Sequence, residues 1–390
     1  MKVLLIHDFY QAYGGEDAVV VAERKLLEEH GNEVTSYTRH NDEIKSYKFQ
    51  DKVKFFPDTI YSRRTNRELR ALVRASRPDV AYIHNVFPLI SPSVYHALHR
   101  LGGPMVQVVH DFRFWCPNGW FYIRGKICER CEHGNYLNAV RYRCYRDSYT
   151  LSALYSASIG INRLAGMLTK ISAFICLTEF TKLKLLEVGL PEDKLFIRPN
   201  FIDAARVTPR PGDGNYVVYL GRLSPEKGVW TLVRAFEALK DPLLKILGTG
   251  PLEAALKGYV RERGITNIEF VGFKTGLEKW ALLKGSSFAV APSECYETFG
   301  MVVLEAYVAG KPMIASDIGA LHYIVRNGKS GLLFQPGSVA DLSEKVRYLI
   351  QRPAEIQAMG RYGRWLVETE YGTDQAYMTL MGIFDKVSRQ

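Results

Sequence analysis

The chain has 390 residues, too many for one ordinary hydrophobic core and suited to two domains of roughly 200 residues each. With 47% hydrophobic and 24% charged residues it reads as a soluble globular protein, and its formal charge of +10 points to anionic partners: phosphorylated substrates, an acidic membrane surface or nucleic acid. Six cysteines in a chain this long, opening without a secretory leader, argue against a disulfide framework.

The opening MKVLLIHDFY holds too short an apolar run for a signal peptide and predicts a buried strand over Val3–Ile6. Tyr13 to Asp17, YGGED, then lead into a helix over Glu16–His30, whose Val19, Val20, Leu26 and Leu27 recur with a helical period and which Gly31 stops. The N–H groups of Gly14 and Gly15 stand where a helix N-terminus meets phosphate. The spacing is not G-x-G-x-x-G, which counts against a dehydrogenase. From Lys45 to Arg77 there are ten Lys or Arg against three acids, interleaved with Tyr47, Phe49, Phe55, Phe56 and Tyr61. That pattern suits peripheral docking on anionic lipid, with a solvated helix face as the plain alternative. An RNA surface would look similar, but no RRM, KH or OB signature accompanies it, so no nucleic-acid partner is expected.

Val80–His84, Met105–His110 and Ile171–Thr178 are further short strands between helical stretches. His110 ends its strand, where sheets present ligand contacts, although a lone histidine there is as readily structural. Cys116, Cys128, Cys131 and Cys144 fall in one segment. Only Cys128 and Cys131 have C-x-x-C spacing, leaving structural zinc and half-buried thiols as the two readings. Leu151–Leu177, broken by Asn162, Arg163 and Lys170, falls short of the roughly 18 clean apolar residues of a membrane span. The expected location is cytoplasmic, peripheral at most at the inner face of the cell membrane.

After a Pro- and Gly-rich stretch, Thr208 to Asn215, read as an interdomain linker, the pattern restarts with strands over Tyr216–Leu220, Leu244–Leu247, Ile268–Val271, Phe288–Ala291 and Met313–Ala315. Two doubly wound α/β domains follow, with the ligand expected in the cleft between them. Gly221 to Gly228, GRLSPEKG, sets Arg222 and Lys227 before a helix, a combination of cations and helix-end N–H groups suited to a diphosphate. Gly248 and Gly250 in LGTGP form a turn open to close approach by a nucleotide. In SECYETFGMVVLEA, Glu297 lies in the loop and Glu305 inside a helix over Gly300–Val308. A carboxylate among Met301, Val302, Val303 and Leu304 needs a partner such as ribose hydroxyls or a cation.

These motifs together resemble the family 4 glycosyltransferases across nearly the whole chain, and the CPNG segment with its downstream cysteine pair resembles members that build bacterial surface polysaccharides. The resemblance implies a GT-B fold, two Rossmann-like domains facing each other across a cleft: residues 1–205 on the acceptor side, 206–372 binding the nucleotide sugar, and a last helix in 373–390 crossing back. It implies transfer from a nucleotide diphosphate sugar to a glycan or lipid-linked sugar, with retained configuration and no catalytic cofactor or metal. By matched position, Arg222 and Lys227 would hold the diphosphate, Glu305 the ribose, and Glu297 with the N–H groups of Phe299, Gly300 and Met301 the donor sugar. His110 would sit by the reacting sugar, and Gly14 and Gly15 would close on the phosphates. Tyr323 stands where family members often carry a glutamate. The competing readings are a sugar-nucleotide 2-epimerase of the same architecture and a non-catalytic sugar-nucleotide-binding partner subunit.

Overall fold

The computed structural model describes residues 1–11, 14–212 and 214–389, with the side chains of Phe49, Lys52, Val53 and Arg206 outside that description. Tyr13 of the YGGED loop, Asp213 of the Pro- and Gly-rich stretch and the Phe49 ring of the basic segment thus lie outside the described residues. The chain forms two compact units, Met1–Phe121 with Cys128–Pro199 and Ala376–Gln390, and Tyr122–Ile127 with Asn200–Gln375.

In chain order the first eight strands are β1 (Lys2–Phe9), β2 (Glu33–His40), β3 (Val80–Ile83), β4 (Met105–Val108), β5 (Tyr122–Ile123), β6 (Lys126–Ile127), β7 (Ala173–Cys176) and β8 (Leu195–Ile197). β5 and β6 are a small antiparallel hairpin. The other six make the parallel sheet of the first unit in the order β2-β1-β3-β4-β7-β8. β3, β4 and β7 are buried at every position, as parallel strands covered on both faces must be. β2, absent from the sequence expectation, is the edge strand. Only Tyr37 and Arg39 are buried in it, so no apolar run announces it.

The second unit holds β9 (Tyr216–Leu220), β10 (Leu243–Leu247), β11 (Ile268–Gly272), β12 (Phe288–Ala291), β13 (Met313–Ser316) and β14 (Gly331–Phe334), in the parallel order β11-β10-β9-β12-β13-β14. Val217, Tyr219, Phe236, Ile246, Phe288, Val290, Ile314 and Phe334 pack its core. The strand order reverses between β1 and β3 in the first sheet and between β9 and β12 in the second. Loops beyond the carboxyl ends of such strands diverge and leave room for a ligand.

The stretch from Thr208 to Asn215 lies within the second unit, and the chain passes between the units at Phe121–Tyr122, Ile127–Cys128, Pro199–Asn200 and Gln375–Ala376. Arg210 N–H donates to the Ala309 carbonyl at 2.9 Å, and the buried Lys311 ammonium donates to the Gly212 carbonyl at 2.6 Å. A buried cation needs such an acceptor, so Arg210 and Gly212 of the stretch read as an interdomain linker are held on the second unit. The last helix, Thr373–Ser388, belongs to the first unit from Ala376 onward. Its Phe384 meets Tyr82 edge-on at 5.2 Å, and its Ala376 carbonyl accepts from Arg198 Nε at 3.1 Å. The Arg198 guanidinium also pairs with Glu23, both side chains about 1% exposed. Among the described residues no helix is long and apolar enough to cross a membrane.

Candidate functional site

The loops after β9 and β12 flank the switch point of the second unit and are laced together. Glu294 N–H donates to the Glu226 carbonyl at 2.9 Å, and Thr231 Oγ1 donates to the Glu294 carboxylate at 2.6 Å. The first loop turns through Pro225–Lys227, and Gly228, at φ +65°, starts the helix Val229–Leu239. A Cβ on Gly228 would lie 1.8 Å from the Pro292 carbonyl oxygen, so only glycine lets the loops meet. This contact brings Lys227 and Glu297, 70 residues apart, to 2.9 Å between Nζ and Oε1. Ser293 Oγ donates to the same carboxylate. Burial pushes the Glu297 carboxyl up, but the Lys227 charge and the two hydrogen bonds outweigh it and leave it below its ordinary value. Burial pulls the Lys227 ammonium down, yet Glu297 carries it up to about 12. Both groups are charged at neutral pH.

Glu297 is supported from behind. Gly319, at φ +57°, packs against its backbone, and Ala320 N–H donates to its carbonyl at 3.1 Å. The departure at Tyr323 lies in this same helix, Gly319–Ile324, where the tyrosine ring sits edge-on to His322 at 5.0 Å. Gly300, at φ +97°, caps the helix Met301–Val308. The N–H groups of Gly300 and Met301 have no hydrogen-bond acceptor among the described residues, a ready site for phosphate or hydroxyl oxygen. Phe299 is 3% exposed and turns its ring to Tyr371, so only its backbone faces a ligand. Glu305 on the same helix accepts from Lys279 Nζ at 2.9 Å. Lys279, on the helix Gly276–Gly285, supplies the cation that a carboxylate in apolar surroundings requires, and nothing in the sequence singled it out. Arg222 is exposed, and its guanidinium has no partner among the described residues.

Gly248 and Gly250 serve the fold at this site. A Cβ on Gly248 would fall 1.9 Å from the Gly221 carbonyl oxygen, and one on Gly250 would fall 2.5 Å from that of Leu223. Leu223 N–H donates to the Thr249 carbonyl at 2.9 Å. A close neighbour that requires glycine is thus the Arg222 loop itself.

In the first unit, β1, β3 and β4 each deliver a histidine to the carboxyl edge. His7 Nε2 lies 2.9 Å from Asp17 Oδ1, and Asn85 N–H donates to His7 Nδ1 at 3.4 Å. His84 Nδ1 lies 2.8 Å from His110 Nε2, the two rings stacked at 5.1 Å. Burial and the charges of His7 and Arg198 pull His110 down to about 3, and burial beside His110 pulls His84 well below its ordinary value. His84 and His110 border a recess with Glu16, Asp111, Arg113 and Phe114. Burial pushes the Glu16 carboxyl up to about 8, helped by Asp111 and opposed by a Tyr10 hydroxyl that donates to it at 2.9 Å and by Arg113. Gly14 N–H donates to Asp17 Oδ2 at 3.1 Å. This N–H, expected to face phosphate, is here taken by the carboxylate capping its own helix, Gly15–Glu29.

The CPNG turn packs against Asp111, which borders this recess. Phe112 N–H donates to the Gly119 carbonyl at 3.1 Å, and a Cβ on Gly119, at φ +82°, would press on Asp111 at 3.3 Å. None of the four cysteines of this segment is in a disulfide, and burial pushes Cys116 up to about 11 and Cys131 up to about 12. Among the described residues no group of three or more His, Cys, Asp or Glu is placed to hold a metal ion. The zinc reading therefore gains no support from the arrangement of the thiols.

Comparison with known proteins agrees with this architecture. The family described as Glycosyltransferase Family 4 matches residues 13–206, and Glycosyl transferases group 1 matches residues 201–365. A glycogen synthase of Mycobacterium tuberculosis is 30% identical over 311 residues, covering 76% of this chain and 66% of its own length, so the match leaves about a third of that relative unspanned. A sucrose-phosphate synthase from Thermosynechococcus elongatus superposes with a TM-score of 0.72 at 18% identity over 99% of this chain and 98% of its own. Anabaena HepE in complex with UDP gives 0.67 at 16%, over 99% and 100%. At such identities the structures establish the fold, GT-B; the sequence matches establish that the chain belongs to glycosyltransferase family 4.

Proposed function

We propose that the chain is a retaining, metal-independent glycosyltransferase that moves a sugar from a nucleotide diphosphate donor to a glycan or lipid-linked sugar in polysaccharide biosynthesis. The observation that carries this reading is the meeting of Lys227 and Glu297 at 2.9 Å across the switch point, beside unused helix N–H groups and the unpaired Arg222. Arg222 and Lys227 take the diphosphate and the charge that grows on it as the sugar leaves. Glu297 and the N–H groups of Phe299, Gly300 and Met301 accept and donate to sugar hydroxyls, and Glu305 holds the ribose. Gly15 N–H and His110 act from the first unit. The bond from the anomeric carbon to phosphate breaks, a bond to the acceptor oxygen forms on the same face, and the departing phosphate takes the acceptor proton. No side chain is then needed as general base. A relative named as a glycogen synthase and a structural neighbour bound to UDP support the substrate class.

Thermal-shift measurements with UDP, GDP and ADP test the reading. One of them at about 100 times its dissociation constant should stabilise the fold by about 2.7 kcal/mol, and transfer should persist in excess chelator. No shift with any of the three would refute it.

A peripheral position on the inner face of an anionic membrane is part of the same proposal. On the helix Arg63–Ser76 and its cap, Arg63, Arg67, Arg70, Arg74 and Arg77 alternate at spacings of four and three and are all exposed, with no carboxylate partner among the described residues. Reversing Arg67 and Arg74 to glutamate should weaken vesicle flotation by about 1 kcal/mol per cation removed. Equal flotation on neutral and anionic vesicles would exclude this part.

A further inference from the structure

The carboxylate of Glu305 hangs on several side-chain torsions, so its helix alone does not fix where the oxygens stand. On the helix Met301–Val308, Val303, Leu304, Ala306 and Tyr307 are wholly buried, and Met301, Val302 and Glu305 form the half-buried face. Glu305 follows Met301 by one turn on that face, about 6 Å along the axis from the unused N–H groups at the helix start. Lys279 reaches this point from another element. Its ammonium donates to Glu305 Oε1 at 2.9 Å, both side chains being 23% exposed, and Oε2 has no hydrogen-bond partner among the described residues. Lys279 is itself held. Its Nζ lies 4.7 Å from the centroid of the Trp280 ring. The helix that carries it, Gly276–Gly285, is fixed to the sheet: Leu283 is wholly buried, and the Leu282 carbonyl accepts from the Tyr216 hydroxyl of β9 at 2.7 Å.

We infer that Lys279 is a positioning residue of donor recognition: it holds Glu305 Oε1, so that Oε2 is presented to the ribose hydroxyls and the site distinguishes ribonucleotides from deoxyribonucleotides. The inference rests on the proposed place of the ribose at Glu305. A carboxylate ordered only by its ligand loses affinity to that ordering, whereas one fixed in advance by an ion pair does not. A hydroxyl bonded to a partly buried charged group is also a contact whose absence lowers affinity, because an analogue without the hydroxyl leaves the oxygen unpaired. Lys279 therefore acts through Glu305. Its effect falls on nucleotide binding and not on the breaking of the bond from the anomeric carbon to phosphate, which the Lys227 loop serves.

The test is calorimetric titration of the full chain with UDP, GDP and ADP and with the 2′-deoxy and 3′-deoxy form of each, together with transfer kinetics. For the base that binds, the wild-type chain should hold the ribonucleotide about tenfold more tightly than at least one deoxy form, the equivalent of one hydrogen bond to a charged group. Lys279→Met should abolish most of that preference by weakening the ribonucleotide alone. It should raise the donor KM in proportion and leave kcat within about twofold. Lys279→Arg, which keeps a cation beside Glu305, should restore most of the preference. In a Glu305→Gln background Lys279→Met should change nothing further, since the two residues act as one unit. A preference lost in Glu305→Gln but kept in Lys279→Met overturns the inference and leaves the ribose at Glu305. A double variant that binds more weakly than Glu305→Gln overturns it too, because Lys279 would then touch the nucleotide directly. A preference kept in Glu305→Gln removes the ribose from Glu305, and the inference with it. Equal binding of all forms by the wild-type chain does the same without depending on how any variant folds.

Discussion

At the switch point of the first sheet stand two buried histidines, a third that is half-buried, and carboxyls that burial keeps protonated at neutral pH. At that of the second stand a lysine and a glutamate, each holding the other charged. The strand orders are nearly the same, so the difference is not one of fold. It follows from what the loops bring together: β1, β3 and β4 place rings side by side, whereas Gly228 lets the β9 and β12 loops close and join opposite charges. The first unit does contain a strong ion pair, Arg198 with Glu23, but it binds the last helix to the sheet. The first edge also carries the Asp111–Arg113 pair at 3.2 Å, so the contrast lies in its neutral His84, His110 and Glu16; neutral groups suit the reading of hydroxyls, and a charged pair suits a diphosphate whose charge changes during reaction.

The sharpest way to break this contrast is to remove one partner of each ion pair. Arg198→Met leaves Glu23 buried and uncompensated and should cost about 3–5 kcal/mol. Hydrogen exchange should place the loss in β1, β3 and the last helix, with nucleotide affinity unchanged; weakened nucleotide binding would show that this pair, too, serves the site. Lys227→Ala should lower kcat by about 10²–10³, comparable to removing one donor from an oxyanion site, while β9 and β12 keep their exchange protection. Full turnover by Lys227→Ala would make its pair with Glu297 structural as well.

Gly248→Ala probes a smaller effect. The substituted Cβ must push back the Gly221 carbonyl at φ +149°, at a cost of about 1–3 kcal/mol. It should raise the nucleotide dissociation constant by displacing Arg222, without contact between residue 248 and the ligand. Competition binding against the wild-type chain measures this, and unaltered affinity would mean that the two turns move independently.

How far all this was legible depended on whether a signal was local. Strands with continuous apolar runs, such as Phe288–Ala291, and the cation-bearing turn before Val229 stood out along the chain. The polar edge strand Glu33–His40 did not, because an edge in contact with water needs no apolar run. Gly248 and Gly250 were noticed for their missing side chains, but the backbone they accommodate, 27 residues upstream of each, was not. Glu305 was read as needing a partner. That the partner is Lys279, and that His7, His84 and His110 form a row, depend on strand order, which no local pattern encodes.

The subtlest consequence of the contrast is its dependence on pH. Burial pushes Asp8 up to about 8, against hydrogen bonds from the Leu89 and Ile90 backbone, and Glu16 also to about 8. A carboxyl raised on folding stabilises fully below its unfolded value and loses that contribution as pH rises to its folded one. His84 and His110 are lowered, so their contribution is present above 6.5 and lost as pH falls toward about 3. Between 4.5 and 6.5 the two tendencies oppose each other, and from 6.5 to about 8 the carboxyls act alone. The first unit should therefore be nearly level in the lower window and lose stability with rising pH in the upper one. Lowered Glu297 contributes above 4.5, and raised Lys227 contributes below 10.5, so their pair keeps the second unit level through both windows. Hydrogen exchange across this range, corrected for intrinsic rates, reads the units separately, and Asp8→Asn should flatten part of the upper slope. A first unit that gains stability from 6.5 to 8 would mean that Asp8 and Glu16 ionise in the ordinary range, and that its switch point is charged like the other.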